Sequence, residues 1–226
     1  MTHMPFLAKD RNGARVLIFC RGISEGADSP RWKLWYELEP GRTRRLETGL
    51  SDGAVECSPT AWHDDAGWHV TFIAGMALYR MDGRALDQLS KPELVYRPAC
   101  AGFVFKGRLV HAALDYNIHV LQLSGNVHLE VRGAIIYRVA YRSDDPEKLL
   151  ISGRFNSQAD VFTIEYDLES GEQAILECDG RPAYKCTILG HEVLYAERIG
   201  DHFEKRRITS AQALKRIPLT DAVRRL

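Results

Sequence analysis

The sequence predicts an all-β chain built from five repeated units, and three observations lead there. Apolar and polar residues alternate with period two along most of the chain, the pattern of half-buried strands. The segment Tyr166 to Gly171 (YDLESG) is echoed by Tyr36 to Gly41 (YELEPG) and Tyr79 to Gly83 (YRMDG), with fainter echoes at Leu121 to Gly125 and Arg207 to Ser210. The turn residues Gly41, Gly83, Gly125, Gly171 and Ser210 lie 42, 42, 46 and 39 residues apart. A period of about forty with roughly four short strands per unit is the signature of a propeller blade. The expected architecture is one five-bladed β-propeller domain over residues 1–226, with about four antiparallel strands per blade.

Blade one is expected from strands at 4–8, 14–20, 32–38 and 43–47. Asn12 and Gly13 supply the positive φ of a tight first turn. The polar stretch 22–30 reads as a long loop, and loops on a rigid scaffold are where binding residues gather. Blade two follows at 55–62, 68–73, 77–81 and 85–89, and blade three at 101–105, 108–114, 118–123 and 127–131. Blade four takes 136–141, 149–153, 161–166 and 173–177; blade five takes 184–189, 192–196, 203–208 and 213–217. Short helical turns are expected only at 210–216 and 220–226, where Ser210 and Thr220 can cap. An open array would leave unpaired edges, so the ring is expected to close between blades one and five without a borrowed strand.

Composition narrows the partners. Thirty Lys and Arg balance thirty Asp and Glu, so no basic excess exists to drive nucleic-acid binding. The Arg-rich stretches 42–45 and 205–207 read as solvated strand edges. No stretch of eighteen apolar residues would span a membrane, and residues 1–10 lack the pattern of a signal peptide. Cys20, Cys57, Cys100, Cys178 and Cys186 form an odd set without a CxxC pair, which fits free thiols in a reducing cytoplasm. Cys57 and Cys100, with His3 or His111 nearby, show no tight metal-site spacing and read as buried apolar groups. Neither a metal nor a cofactor is expected.

The segment 61–73 (AWHDDAGWHVTFI) followed by 77–83 (ALYRMDG) resembles the TolB-type and WD-like propeller repeat, and 149–176 resembles it equally. That resemblance implies a propeller and leaves function open, because the fold serves enzymes, receptors and scaffolds. A fainter resemblance links Glu56 to Pro59 (ECSP) and the strand after it to the acid-bearing segment of five-bladed arabinanases and xylosidases. It implies Glu56 as general acid, with Asp115 as a displaced carboxylate partner. The segments matching that family's other two carboxylates, at 3–6 and 99–102, contain none.

In a propeller the first strand of each blade lines the axis, and the second strand returns to the end where the first began. Starts of first strands (His3, Glu56, Cys57, Cys100, Tyr137, Arg138, Tyr184, Lys185) therefore share one face with ends of second strands (Arg21, Gly75, Asp115, Arg154, Glu197). Convergent polar groups in a concavity mark the default ligand site. Arg21, Glu56, Asp115, Arg138, Arg154, Lys185 and Glu197 are the candidates, with Trp32, next to the 22–30 loop, as a stacking surface. Glu56, Arg138 and Arg154 are expected to turn their polar ends into one pocket. The functional expectation is a non-catalytic propeller binding a small polar or glycan-like ligand at the axial mouth. A glycosidase-like hydrolase and a protein-interaction scaffold are the alternatives. Thiol titration of the denatured, unreduced protein should count all five cysteines; a count of three or one would reveal disulfides.

Overall fold

The computed structural model describes residues 2–23, 31–51, 54–105, 107–115, 118–123, 126–132, 134–154, 161–200, 202–209 and 214–218, and their side chains except at 2–4, 113–115, 118–123 and 126–132. Strands β1 (Thr2–Lys9), β2 (Arg15–Ile23), β3 (Arg31–Glu39) and β4 (Arg42–Arg45) pair in sequence order as an antiparallel meander. The same order holds for β5 (Glu56–Asp64), β6 (Gly67–Ala74), β7 (Ala77–Gly83) and β8 (Glu93–Tyr96). It holds again for β9 (Ala101–Phe105), β10 (Arg108–Asp115), β11 (Ile118–Leu123) and β12 (Asn126–Arg132). The fourth sheet contains β13 (Ile135–Arg142), β14 (Asp145–Arg154), β15 (Val161–Asp167), β16 (Gln173–Cys178) and the short β17 (Arg181–Pro182). A three-stranded sheet follows, made of β18 (Tyr184–Leu189), β19 (Glu192–Ile199) and β20 (His202–Ile208). The last strand, β21 (Leu214–Pro218), pairs with β16.

The architecture is an all-β propeller of four complete blades, and this corrects the expected count of five. The fifth unit stops at three strands because its outer strand is donated to the sheet before it. Leu214 is buried with Leu150, Leu176, Cys178, Ile188 and Tyr195, while Arg216 reaches the Glu165 carboxylate at 2.6 Å. Residues 214–216 are strand, as the strand expected at 213–217 had it, and not the helical turn also expected at 210–216. The fourth strand of blade two also moves, from 85–89 to β8, because residues 83–89 turn back tightly and a Cβ on Gly83 would lie 2.3 Å from the Gln88 carbonyl oxygen. The loop residues 24–30, the turn residues Gly125 and Ser210, and residues 219–226 lie outside the described set.

The sheets meet around the axis through their innermost strands, with β1 packed against both β5 and β18. The Leu7 amide donates to Thr187 Oγ1 at 3.1 Å, and the Ser143 hydroxyl donates to the Leu7 carbonyl. The main core joins Phe6, Phe72, Phe103, Val139 and Phe162 from the four complete blades. Leu7, Leu17 and Phe19 interlock with Leu189 and Leu194 where the ring closes. Tyr141 lies across the axis at the far end. Its ring is 5.3 Å from Phe6 and 4.5 Å from Phe105, and its hydroxyl donates to the Ala61 carbonyl at 2.5 Å.

Four of the five innermost strands break register near their start, between His3 and Phe6, Cys57 and Thr60, Ile136 and Arg138, and Tyr184 and Thr187. Ser58 and Lys185 adopt positive φ there (50° and 51°), a conformation that L-residues other than Asn and Asp seldom take. In the third blade a glycine serves instead, since a Cβ on Gly102 would sit 2.6 Å from the Val110 carbonyl oxygen. Bulges of this kind re-aim side chains and bend a strand. Here they lie at the end of the axis that carries the candidate site.

Shortening Leu214 to Ala should lower the unfolding free energy by about 2–5 kcal/mol, the usual cost of truncating a buried leucine. Urea denaturation would measure it, and an unchanged midpoint would show that β21 does not anchor blade four.

Candidate functional site

Bulges at the first-strand starts bring Tyr137, Arg138, Tyr184 and Lys185 together between the fourth and fifth sheets. Arg138 has no exposed surface. Its Nη1 donates to the carbonyls of Lys185 (3.2 Å) and Cys186 (2.8 Å), so one guanidinium holds the two carbonyls that follow the left-handed Lys185. Its charged centre lies 5.9 Å from the Phe6 ring. Burial holds its pKa down at about 10.

Lys185 is almost wholly buried, with Nζ 4.9 Å from the Tyr184 ring centre and 5.9 Å from that of Tyr137. Arg154, at the end of β14, places its guanidinium carbon 5.9 Å from the same Tyr137 ring. Ring faces carry negative charge density and attract such cations. Burial pushes the Lys185 ammonium down to about 7 and the Tyr184 hydroxyl up. The Arg154 charge pulls Tyr184 the other way, which places Arg154 in the same cluster.

The other sequence candidates lie elsewhere. Glu56 is fully buried, and its carboxylate accepts from Lys33 Nζ (3.1 Å), Thr48 Oγ1 (2.7 Å) and the Leu34 amide (3.1 Å). It ties β5 to β3 of the preceding blade. Arg21 is exposed and stacks over Trp35 at 5.2 Å, and Trp32 is half-buried against the main core. Glu197 accepts from Arg181 (2.7 Å) and Arg206 (2.8 Å), chiefly the Arg206 bond holding its carboxyl below the usual range. Asp115 closes β10 against Ile118, and its side chain lies outside the described set, as does that of His3. Of the trio Glu56, Arg138 and Arg154, the structure places Arg138 and Arg154 in the region of Tyr137 and Lys185, and Glu56 in an inter-blade ion pair.

Sequence reasoning named Tyr137 and Tyr184 only as strand starts and overlooked Lys33. Its signal was present in β3, where Lys33 interrupts an otherwise apolar alternation beside Leu34 and sits 2% exposed. His69 differs as well from a solvent-facing strand histidine. Its ring nitrogens meet Asp82 (2.7 Å) and Asp64 (2.9 Å), and it stacks on Trp62 at 4.7 Å, near the opposite end of blade two. Burial raises the Cys20 thiol well above its ordinary pKa and lifts Cys57 to about 11, which keeps both as neutral packing groups. All five cysteines are free, and among the described residues no group of three His, Cys, Asp or Glu could hold a metal ion.

A groove of about 400 Å³ on the flank of blade four is lined by Lys148, Glu165, Asp167, Gln173 and Arg216. Its charges satisfy one another: Glu165 meets Arg142 and Arg216, and Lys148 meets Asp145 and Asp167. The axial cluster, by contrast, holds Arg138 against two backbone carbonyls and the Phe6 ring. No protein-family model matches the chain, and no curated protein matches it. The likeness to TolB-type, WD-like and glycosidase repeats therefore rests on the quoted segments alone.

Lys185 makes a pH signature. Unfolded, it binds a proton below its ordinary 10.5; folded, only below about 7. Between those values the unfolded chain holds more protons, so this residue's contribution to stability rises with pH, and its burial penalty is complete below about 7. Lys185→Met should stabilise the fold most at and below neutrality, the gain shrinking toward pH 10.5. Urea midpoints across that range would show it; a gain independent of pH would mean that Lys185 keeps its ordinary pKa.

Proposed function

We propose that this propeller binds a small polar ligand at the axial mouth, without catalysing a reaction on it. One observation carries the reading: Arg154 and Lys185 flank the Tyr137 ring at a propeller mouth, where the repeated bulge aims side chains toward the axis. Donors beside an aromatic face suit a ligand rich in oxygen, including a glycan-like one, because hydroxyls accept from the cations while the ring covers an apolar face. The non-catalytic reading is supported by Glu56, whose two oxygens are both occupied by protein donors. That leaves it poorly placed to protonate a leaving group as the glycosidase-like alternative requires.

A second reading, a protein-interaction face, draws on Val55, Met76, Ile135 and Phe203. These are exposed by 36–55% and lie at strand starts or turns on the same face as the mouth. Scattered apolar residues are common on surfaces, so the ligand reading stands first.

Saturation-transfer NMR with a panel of sugars, polyols and small organic acids tests the first reading. At least one solute should bind, and Tyr137→Ala should weaken it by about tenfold, the loss of one well-placed contact. Solutes that bind equally well to Tyr137→Ala would move the site away from the mouth.

A further inference from the structure

Blade two ends on an edge unlike the other rims. β8 is the outermost strand of its sheet, and on it Leu94 and Val95 are 49% and 36% exposed. Both turn outward because a bulge interrupts the alternation: Leu94 pairs with Tyr79 and Tyr96 with Leu78, which leaves Val95 as the extra residue. Tyr96 anchors the strand from within, its ring 4.0 Å from that of His111. An outermost strand offers its amides and carbonyls to any second strand, and proteins commonly guard such edges with like charges. β4 carries Arg42, Arg44 and Arg45, β20 carries Lys205, Arg206 and Arg207, and β21 carries Lys215 and Arg216. β8 has no such run. Its shortness and the prolines at 92 and 98 limit how much chain can pair there, but they do not repel a partner.

The segment 92–98 (PELVYRP) is its own complement about Val95. Two copies laid antiparallel with Val95 on a twofold axis set Glu93 opposite the second copy's Arg97, Leu94 opposite Tyr96, and proline opposite proline at each end. Glu93 and Arg97 are both exposed, so neither must leave a buried partner to meet the other copy. We infer that two copies of this chain associate through β8, paired antiparallel about Val95 with reciprocal Glu93–Arg97 ion pairs. Such an interface is isologous, the same patch serving both copies. Opposite charges and apolar groups placed directly across two strands are the pairs that stabilise a sheet. The charge match repeats under the twofold operation, which favours a second copy over an unrelated strand. Five residues a side bury less than about 1,200 Å² in total, the size of a reversible contact. Because β8 lies at the rim, the pairing leaves both axial mouths uncovered and stands apart from the reading of the mouth.

Sedimentation equilibrium of the full chain between about 10 μM and 1 mM tests this, the range in which a contact of that size dissociates. A monomer–dimer equilibrium is expected. Val95→Lys, which sets two ammonium groups against each other on the axis, should leave the protein monomeric throughout. Glu93→Arg and Arg97→Glu should each weaken association by about tenfold, since like charges then stand opposite at both contacts. An equimolar mixture of those two single variants should recover it, because the mixed dimer has opposite charges at both contacts again. Urea midpoints equal to that of the parent chain would show that the variants fold alike. A monomer at every concentration would overturn the inference and leave β8 a bare edge or a site for a strand of another protein. A dimer that Val95→Lys and both charge variants leave unchanged would overturn its placement. Failure of the mixture to recover association that each single variant loses would overturn the register about Val95.

Discussion

Everything near the axis depends on a crowding constraint at the start of each innermost strand. Strands that converge on one axis cannot all continue straight, because their backbones approach one another too closely. In four of the five innermost strands the chain answers with a break in register, accompanied by a proline at 5 and 59 and left-handed residues at 58 and 185, while the third blade keeps its register and places a glycine at 102. The glycine is forced by a carbonyl that a Cβ would strike. At Ser58 and Lys185 the local strain is offset by bonds to neighbours, Ser58 Oγ donating to the Tyr137 carbonyl and Arg138 donating to the Lys185 carbonyl. The same bulge that relieves crowding also turns polar side chains toward the mouth.

Two ways of burying a charge stand side by side in this molecule. Glu56 and Lys33 form a closed pair with extra bonds from Thr48 and the Leu34 backbone, the arrangement that offsets desolvation and joins two blades. Arg138 is braced by two carbonyl dipoles and the Phe6 ring. Carbonyls offset part of its desolvation, since each presents negative partial charge, but they leave the net charge in place. The lowered pKa values of Arg138 and Lys185 both trace first to burial. Burial of Arg138 against carbonyls and a ring face, in place of a carboxylate, marks it off from the Glu56–Lys33 pair.

Much of the fold was legible because it is written in local patterns. Period-two alternation located the inner three strands of every unit, and the Tyr-led turn echoes gave the repeat. The blade count failed for a non-local reason. By sequence, residues 213–217 read as the outer strand of the fifth unit, and Leu214 and Arg216 instead find Cys178, Leu176 and Glu165 far away in sequence. Topology alone groups Arg138, Arg154 and Lys185 with Glu56 on one face of the disc. It could not separate Glu56 from them, since the separating partner, Lys33, comes from a different blade. Strand starts specify a face of the disc, whereas side-chain partners are specified by packing between sheets.

The last strand changes how the molecule comes apart. Because β21 pairs with β16, and β18, β19 and β20 lie between the two in sequence, Cys178 and Leu214 close an excursion clasped at its base by backbone hydrogen bonds. Release of the three strands inside that excursion from the C-terminal side must begin at the clasp, with β21 leaving β16. Two units that are separate as sheets are thereby one cooperative element in unfolding. Forming the clasp requires contacts distant in sequence, which places its closure late in folding. Strand donation of this kind trades the modularity of a repeat array for a single latch at the end of the chain.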